Sequence, residues 1–229
     1  MTAEFKSLPF DEAIKFFRQK VNLSTKTWTD IWQSMHDRSF VVAGAMKDEL
    51  IQDLRAAIDK ALAEGTTIED FRKSFDETVK KNGWSYKGER GWRTGVIFNT
   101  NLRTSYAAGH YKQMTDPDVL TARPYWKYIG GLSENPRPLH LQWNGTILPA
   151  DDPWWDTHYP PNGWGCKCEV VSVSGSEMKR DGEKMSRRPD NGTYEWVDKK
   201  TGEVHDVPYG IDPGWAYNPG KVSVREWPL

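Results

Sequence analysis

His140, Cys166 and Cys168 are the side chains of this chain with the most chemistry to offer, and Asp151, Asp152, Asp156 and His158 stand in the same stretch. Imidazole and thiolate are donors that zinc takes at tetrahedral corners, so the three form a candidate zinc set, with His158 or Asp151 as the fourth ligand. Cys-x-Cys is a less usual zinc spacing than Cys-x-x-Cys, and the chain has only this pair of cysteines. The alternative is that both thiols are small buried residues at the start of a strand, with His140 hydrogen-bonded to the loop holding Asp151 and Asp152. A Cys166–Cys168 disulfide is disfavoured, because residues i and i+2 of an extended chain stand about 6.5 to 7 Å apart between Cα atoms, at the upper limit for a bridge.

His140 and His158 with Asp151 and Asp156 are also the parts of a general acid–base site, and Cys166 beside His140 would make an activated nucleophile. The chain contains no Gly-x-Ser-x-Gly elbow, His-Glu-x-x-His, P-loop or dinucleotide fingerprint. No catalytic residue is assigned, and an enzyme would require such a pair to meet in an open cleft. Trp126, Trp143, Trp154, Trp155 and Trp164 admit two readings, a stacking platform for bases or the core of a module poor in aliphatic residues. The core reading fits the composition better. Pro160-Pro161-Asn162-Gly163 then forms a rigid turn that places Trp164 and the cysteines.

These residues need elements to hold them, and the first half of the chain reads as helices. Ser7 and Pro9 introduce one carrying Phe10, Ala13, Ile14, Phe17 and Val21, and Trp28, Ile31, Trp32 and Met35 repeat the spacing in a second. Met46, Leu50, Leu54, Ile58 and Leu62 form an i, i+4 stripe ended by Gly65. Thr67 and Asp70 predict a capping box for a helix with Ile68, Phe71, Phe75 and Val79 inward and Asn82-Gly83 at its end. A last helix from about residue 90 to 114 carries Val96, Thr100, Arg103, Ala107 and Tyr111 along one side. Its segment 99–109 is unusually polar. A close helix contact at Ala107, Ala108 and Gly109, with Arg103 bonded to the second half of the chain, accounts for that polarity better than an active-site arginine does.

After Pro117 helical periodicity is lost, and strand-like runs are expected at 126–129, 168–173, 194–197 and 203–207, the last two forming a hairpin across Asp198-Lys-Lys-Thr-Gly202. Residues 174–191 mix both charge signs and read as a solvated, mobile loop, with a phosphate-contacting arm as the alternative. The expected fold is α+β: a helical region over 1–116, then a Trp-rich, loop-rich module with short antiparallel strands over 117–229.

Length 229, net charge −1 and a mean hydropathy of −0.75 allow one good core or two modest ones and no large basic field. Any DNA contact would be local and weak. The N-terminus lacks an apolar signal segment and no window suits a membrane span, so the expectation is a cytoplasmic chain with no membrane partner.

The ordered run Arg137-Pro138-Leu139-His140, Trp143-Asn144-Gly145, Asp151-Asp152-Pro153-Trp154-Trp155 and Pro160-Pro161-Asn162-Gly163-Trp164-Gly165-Cys166-Lys167-Cys168-Glu169-Val170 resembles the phage Mu F-like head-morphogenesis family. Residues 28–43 and 92–109 and the tail Gly210-Ile-Asp-Pro-Gly214 extend the likeness over about residues 10–220. The resemblance implies a minor capsid protein that assembles the head near the portal, contacts portal or coat protein, works in the bacterial host cytoplasm and enters the virion head with DNA. It implies no reaction. A nucleic-acid-processing or toxin-like enzyme built on His140 and its neighbours is the alternative.

Overall fold

Where apolar spacing is framed by a cap at each end, the expected helices form. The computed structural model describes residues 10–221, and in chain order these contain α1 (Asp11–Arg18), β1 (Val21–Asn22), α2 (Met35–Arg38), β2 (Ser39–Phe40), α3 (Asp48–Glu64), α4 (Ile68–Asn82), α5 (Arg90–Met114), α6 (Pro117–Ala122), β3 (Tyr125–Ile129), α7 (Pro138–Trp143), β4 (Ile147–Pro149), α8 (Trp155–His158), β5 (Glu169–Val173), α9 (Gly175–Asp181), β6 (Thr193–Val197) and β7 (Val204–Pro208). The fold class is α+β. Leu50, Leu54, Ile58 and Leu62 of α3 are buried, and Gly65 ends the helix at φ +69°, the left-handed conformation that glycine adopts without cost. For α4, Thr67 Oγ1 accepts from Asp70 N at 3.2 Å and Asp70 Oδ2 accepts from Thr67 N at 3.1 Å, a complete capping box. Met46, expected on the α3 stripe, instead precedes the helix and is exposed.

The second predicted helix is replaced by two shorter pieces. A 3-10 turn at Trp28–Asp30 is closed by Asp30, whose carboxylate accepts from Lys26 N at 2.7 Å and Thr27 N at 3.2 Å, and Ile31 is then extended. Only Met35–Arg38 resumes helix. Side-chain satisfaction of the turn competes with helix propagation, which is why the apolar spacing misled. Val21 likewise leaves the α1 face: it is exposed in β1, which pairs in parallel with β2, an arrangement outside the antiparallel expectation. Ser7 and Pro9 lie outside the described residues.

A first core joins α1, α3, α4 and α5 around Phe17, Phe40, Leu54, Ile58, Phe71, Phe75 and Phe98. A second is mainly aromatic, built from Trp126, Tyr128, Trp143, Trp154, Trp155 and Tyr159 with Met114, Leu148, Val170 and Ile211 on the antiparallel sheet β4–β3–β5. Helix α5 serves both, with Ile97 and Phe98 in the first core and Ala107, Tyr111 and Met114 in the second, so packing crosses residue 116. Four of its polar residues are satisfied within the helix: Thr94, Asn99, Asn101 and Thr104 donate to the carbonyls of Arg90, Gly95, Ile97 and Thr100 at 2.7 to 2.9 Å.

Two further corrections concern the second half. Helicity does not stop at Pro117, because Asp116 Oδ1 accepts from Asp118 N at 3.0 Å and proline suits the first helical position, giving α6. Residues 174–191 are not a free loop. They contain α9 and are tied back by Arg123–Glu177 at 2.8 Å, Lys127–Glu183, Arg188–Asp152 at 2.9 Å and Ser186 N to Ile147 O at 2.8 Å. The hairpin β6–β7 forms as expected, pairing Thr193 with Pro208 through Val197 with Val204. It receives Trp32, which stacks on Trp196 at 5.3 Å and His205 at 4.3 Å.

Gly109 and Gly95 make a controlled pair within α5. A Cβ at Gly109 would stand 2.7 Å from Phe10 Cζ and 2.9 Å from the Ala13 backbone nitrogen, whereas at Gly95 nothing lies nearer than 3.9 Å. Urea denaturation should show Gly109→Ala destabilised by about 1 to 3 kcal/mol through overpacking. Gly95→Ala should be unchanged or stabilised by up to about 1 kcal/mol.

Candidate functional site

The short helix α7 places His140, and its position is set from both sides. Proline occupies the first turn, while Arg137 before it donates to Asp212 Oδ2 at 2.7 Å and to Trp164 O at 3.1 Å. The same Asp212 oxygen accepts from Trp164 N at 2.8 Å, so one carboxylate links α7, the turn before the cysteines and the C-terminal segment. Close approaches admit only glycine at two points here: a Cβ at Gly130 would overlap the His140 carbonyl, and one at Gly163 would overlap the Asp212 carboxylate. The turn containing Pro161 is buried, and its Asn162 Oδ1 accepts from Tyr128 OH at 2.9 Å.

His140 is only 2 % exposed and lies flat on Trp143 at 5.1 Å. Its Nε2 is 2.7 Å from Gly210 O. A carbonyl only accepts, so Nε2 carries the proton and Nδ1 presents a lone pair. That lone pair faces both sulfurs, at 3.4 Å from Cys168 Sγ and 3.7 Å from Cys166 Sγ, and the three ligand atoms lie within 4.8 Å of one another. Both cysteines are free and precede β5. The contact between the two sulfurs lowers the Cys166 value and raises that of Cys168.

Neither proposed fourth ligand reaches this group. His158 stacks on Trp154 at 4.5 Å and bonds Thr157 Oγ1 through Nδ1 at 2.7 Å. Asp151 is exposed on a different cleft, beside Asp152 and Trp155. The expected bond from His140 to the Asp151–Asp152 loop is also absent, since Gly210 O takes Nε2 and Asp152 instead accepts from Trp154 N at 2.8 Å and pairs with Arg188. Among the described residues, His140, Cys166 and Cys168 alone converge as metal donors. The two histidines do not form an open acid–base pair: one is enclosed, and burial holds the other at about 4.

Trp126, Trp143, Trp154 and Trp155 are core residues, each 4 % exposed or less. Trp164 is not. It is 38 % exposed and sets its ring edge against Trp215 at 5.0 Å and Trp28 at 6.2 Å, because the turn that places Cys166 points it outward. Arg103 is half-buried and donates through Nη1 to Cys166 O at 3.4 Å, and Tyr159 OH donates to Ala107 O at 3.2 Å, joining α5 to the site. Gly130, Gly210 and Asp212 were not singled out as site residues from sequence. The run Gly210-Ile-Asp-Pro-Gly214 carried the available signal, a turn composition that nothing local explains.

An aromatic module with an internal His–Cys–Cys cluster, braced by a helical half, is what fold and site define. The family described as "Phage Mu protein F like protein" matches residues 52–171, more than half of the chain, and the chain belongs to that family. It is 34 % identical over a 248-residue alignment to "Putative capsid assembly protein F" of Escherichia phage Mu, covering 94 % of this chain and 55 % of that protein. It is 32 % identical over 223 residues to "Mu-like prophage FluMu F protein" of Haemophilus influenzae, covering 87 % of this chain and 53 % of that one. The chain thus spans about half the length of these curated relatives. No solved structure matches it. Among the described residues no helix is long and apolar enough to cross a membrane.

His158 gives the stability of the fold a pH dependence. Its folded value of about 4 lies below the unfolded 6.5, so the unfolded chain binds more protons between these values and stability falls as pH drops from 6.5 towards 4. The full effect is on the order of 3 kcal/mol. Urea denaturation across this range should show a smaller pH slope for His158→Gln than for the native chain.

Proposed function

We propose that this chain is a minor head protein of a phage or prophage, acting in capsid assembly near the portal and entering the virion with the DNA. It works by binding portal or coat protein. The observation that carries this reading is the relation over 94 % of the chain to a protein named as a capsid assembly protein. The separation of His158 and Asp151 from His140 supports it, since the acid–base set that suggested catalysis does not come together. The host cytoplasm during assembly and the virion head afterwards are the corresponding locations.

The helical half is assigned to the partner contact, by a different route from the one its sequence suggested. The short apolar stripes do not await a partner: Ile14 and Phe17 are buried in the first core, and Trp28 and Trp32 lie on the hairpin. Contact therefore uses residues left outside, such as Trp92, which is 59 % exposed at the start of α5. Any DNA contact is weak and falls with added salt, since the net charge is −1 and several basic groups near residues 174–191 are already paired.

Co-expression with the portal or coat protein of the same phage should retain the chain in a complex, and Trp92→Ala should weaken that complex with the circular-dichroism spectrum preserved. Purified chain should leave DNA and RNA intact with or without divalent metal. Nuclease activity that disappears in His140→Ala, with the circular-dichroism spectrum preserved, would overturn the binding role.

A further inference from the structure

We propose that His140, Cys166 and Cys168 bind one zinc ion, and that the fourth corner of its tetrahedron opens to a cleft and is taken by water or a small anion. Three observations carry the site. The first is distance: ligand atoms on neighbouring corners of a zinc tetrahedron stand about 3.5 to 3.8 Å apart, Nδ1 of His140 is 3.4 and 3.7 Å from the two sulfurs, and all three atoms lie within 4.8 Å of one another. The second is orientation. Metal-bound imidazole usually donates its other N–H to a carbonyl or carboxylate, and Nε2 of His140 does so to Gly210 O at 2.7 Å.

The third is valence. Two sulfurs converge on one lone pair, which can accept a hydrogen bond fully from only one thiol, whereas an ion between them satisfies all three donors. Two thiolates and neutral imidazole favour zinc over magnesium or calcium, which prefer oxygen ligands. Binding forms two Zn–S bonds and one Zn–N bond and releases the two thiol protons to solvent, so the filled site is electrically neutral.

The fourth corner follows from the surroundings. All three ligands line one cleft of about 330 Å³, whose other walls include Ser133, Asn135, Arg137 and Lys167. None of these is a Cys, His, Asp or Glu, and among the described residues no fourth such donor joins the group. The ion would tie α7 to the segment preceding β5, where Arg103 already holds the Cys166 carbonyl and Gly210 holds the His140 ring.

The test uses the full chain purified without a histidine tag. Elemental analysis should find close to one zinc per chain, and cobalt(II) exchange should give the intense visible bands of a tetrahedral ion with a sulfur-to-cobalt charge-transfer band. Zinc should shield both thiols from alkylation, and a chelator should remove the shielding. Cys166→Ser and Cys168→Ser should each weaken cobalt binding by about tenfold or more. If those variants misfold, the spectrum and thiol shielding of the native chain still decide the matter. Azide should perturb the cobalt bands by entering the open corner. A native chain that shows no thiolate charge transfer and no zinc-dependent shielding would overturn the site, and bands indifferent to azide would overturn the open corner.

Discussion

The interior of the second core is filled largely with rings, seven of its eleven buried members being Trp or Tyr. Trp126, Trp143, Trp154, Trp155, Tyr128 and Tyr159 meet mostly edge to face, with centroids 5.0 to 5.8 Å apart. Such contacts add to burial because the positive ring edge meets the negative ring face. Rings are rigid, so the backbone yields to them: at Gly210, φ is +89° and a Cβ would stand 2.6 Å from Trp143. Indole also brings a donor, which Trp126 and Trp154 bury without a hydrogen-bond partner while Trp155 and Trp143 do not. Trp155 gives its N–H to Pro149 O and Trp143 gives its own to Asn191, each at 2.9 Å.

That last bond explains why a charged segment holds its place. Asn191 ends the stretch 174–191, which composition alone marks as solvated, and Trp143 lies beneath it beside His140. The rings thereby set the position of α7 as well. His140 stacks on Trp143 on one side and reaches Gly210 on the other, so its remaining nitrogen points at the cysteines with little rotational freedom. Preorganisation of this kind lowers the entropy lost when a donor set closes on a ligand.

Helix α5 transmits the arrangement to the rest of the molecule. Ile97 and Phe98 pack in the first core and Tyr111 and Met114 in the second, while Gly109 lets α1 approach closely. The hairpin adds a second connection through Trp32 and the Lys200–Asp30 ion pair. Residue 116 lies between the end of α5 and the start of α6, and the Tyr111–Trp126 ring contact at 5.5 Å joins the two sides.

What the sequence by itself determined is local in origin. The ends of α4 and α5, the Thr67–Asp70 box, the Gly65 stop and the strands at 126–129 and 194–197 depend on caps, glycine conformations and apolar periods within a few residues. The chemistry-bearing types His140, Cys166 and Cys168 were legible on the same basis, as was the aromatic character of the core. Tertiary structure alone decided the acceptor of the His140 ring, the exclusion of His158 and Asp151 from the donor group, the outward position of Trp164 and the docking of Trp32 on the hairpin. Each of these depends on which distant surfaces meet. Gly210 stands 70 residues beyond His140, and no local propensity encodes a partner at that separation.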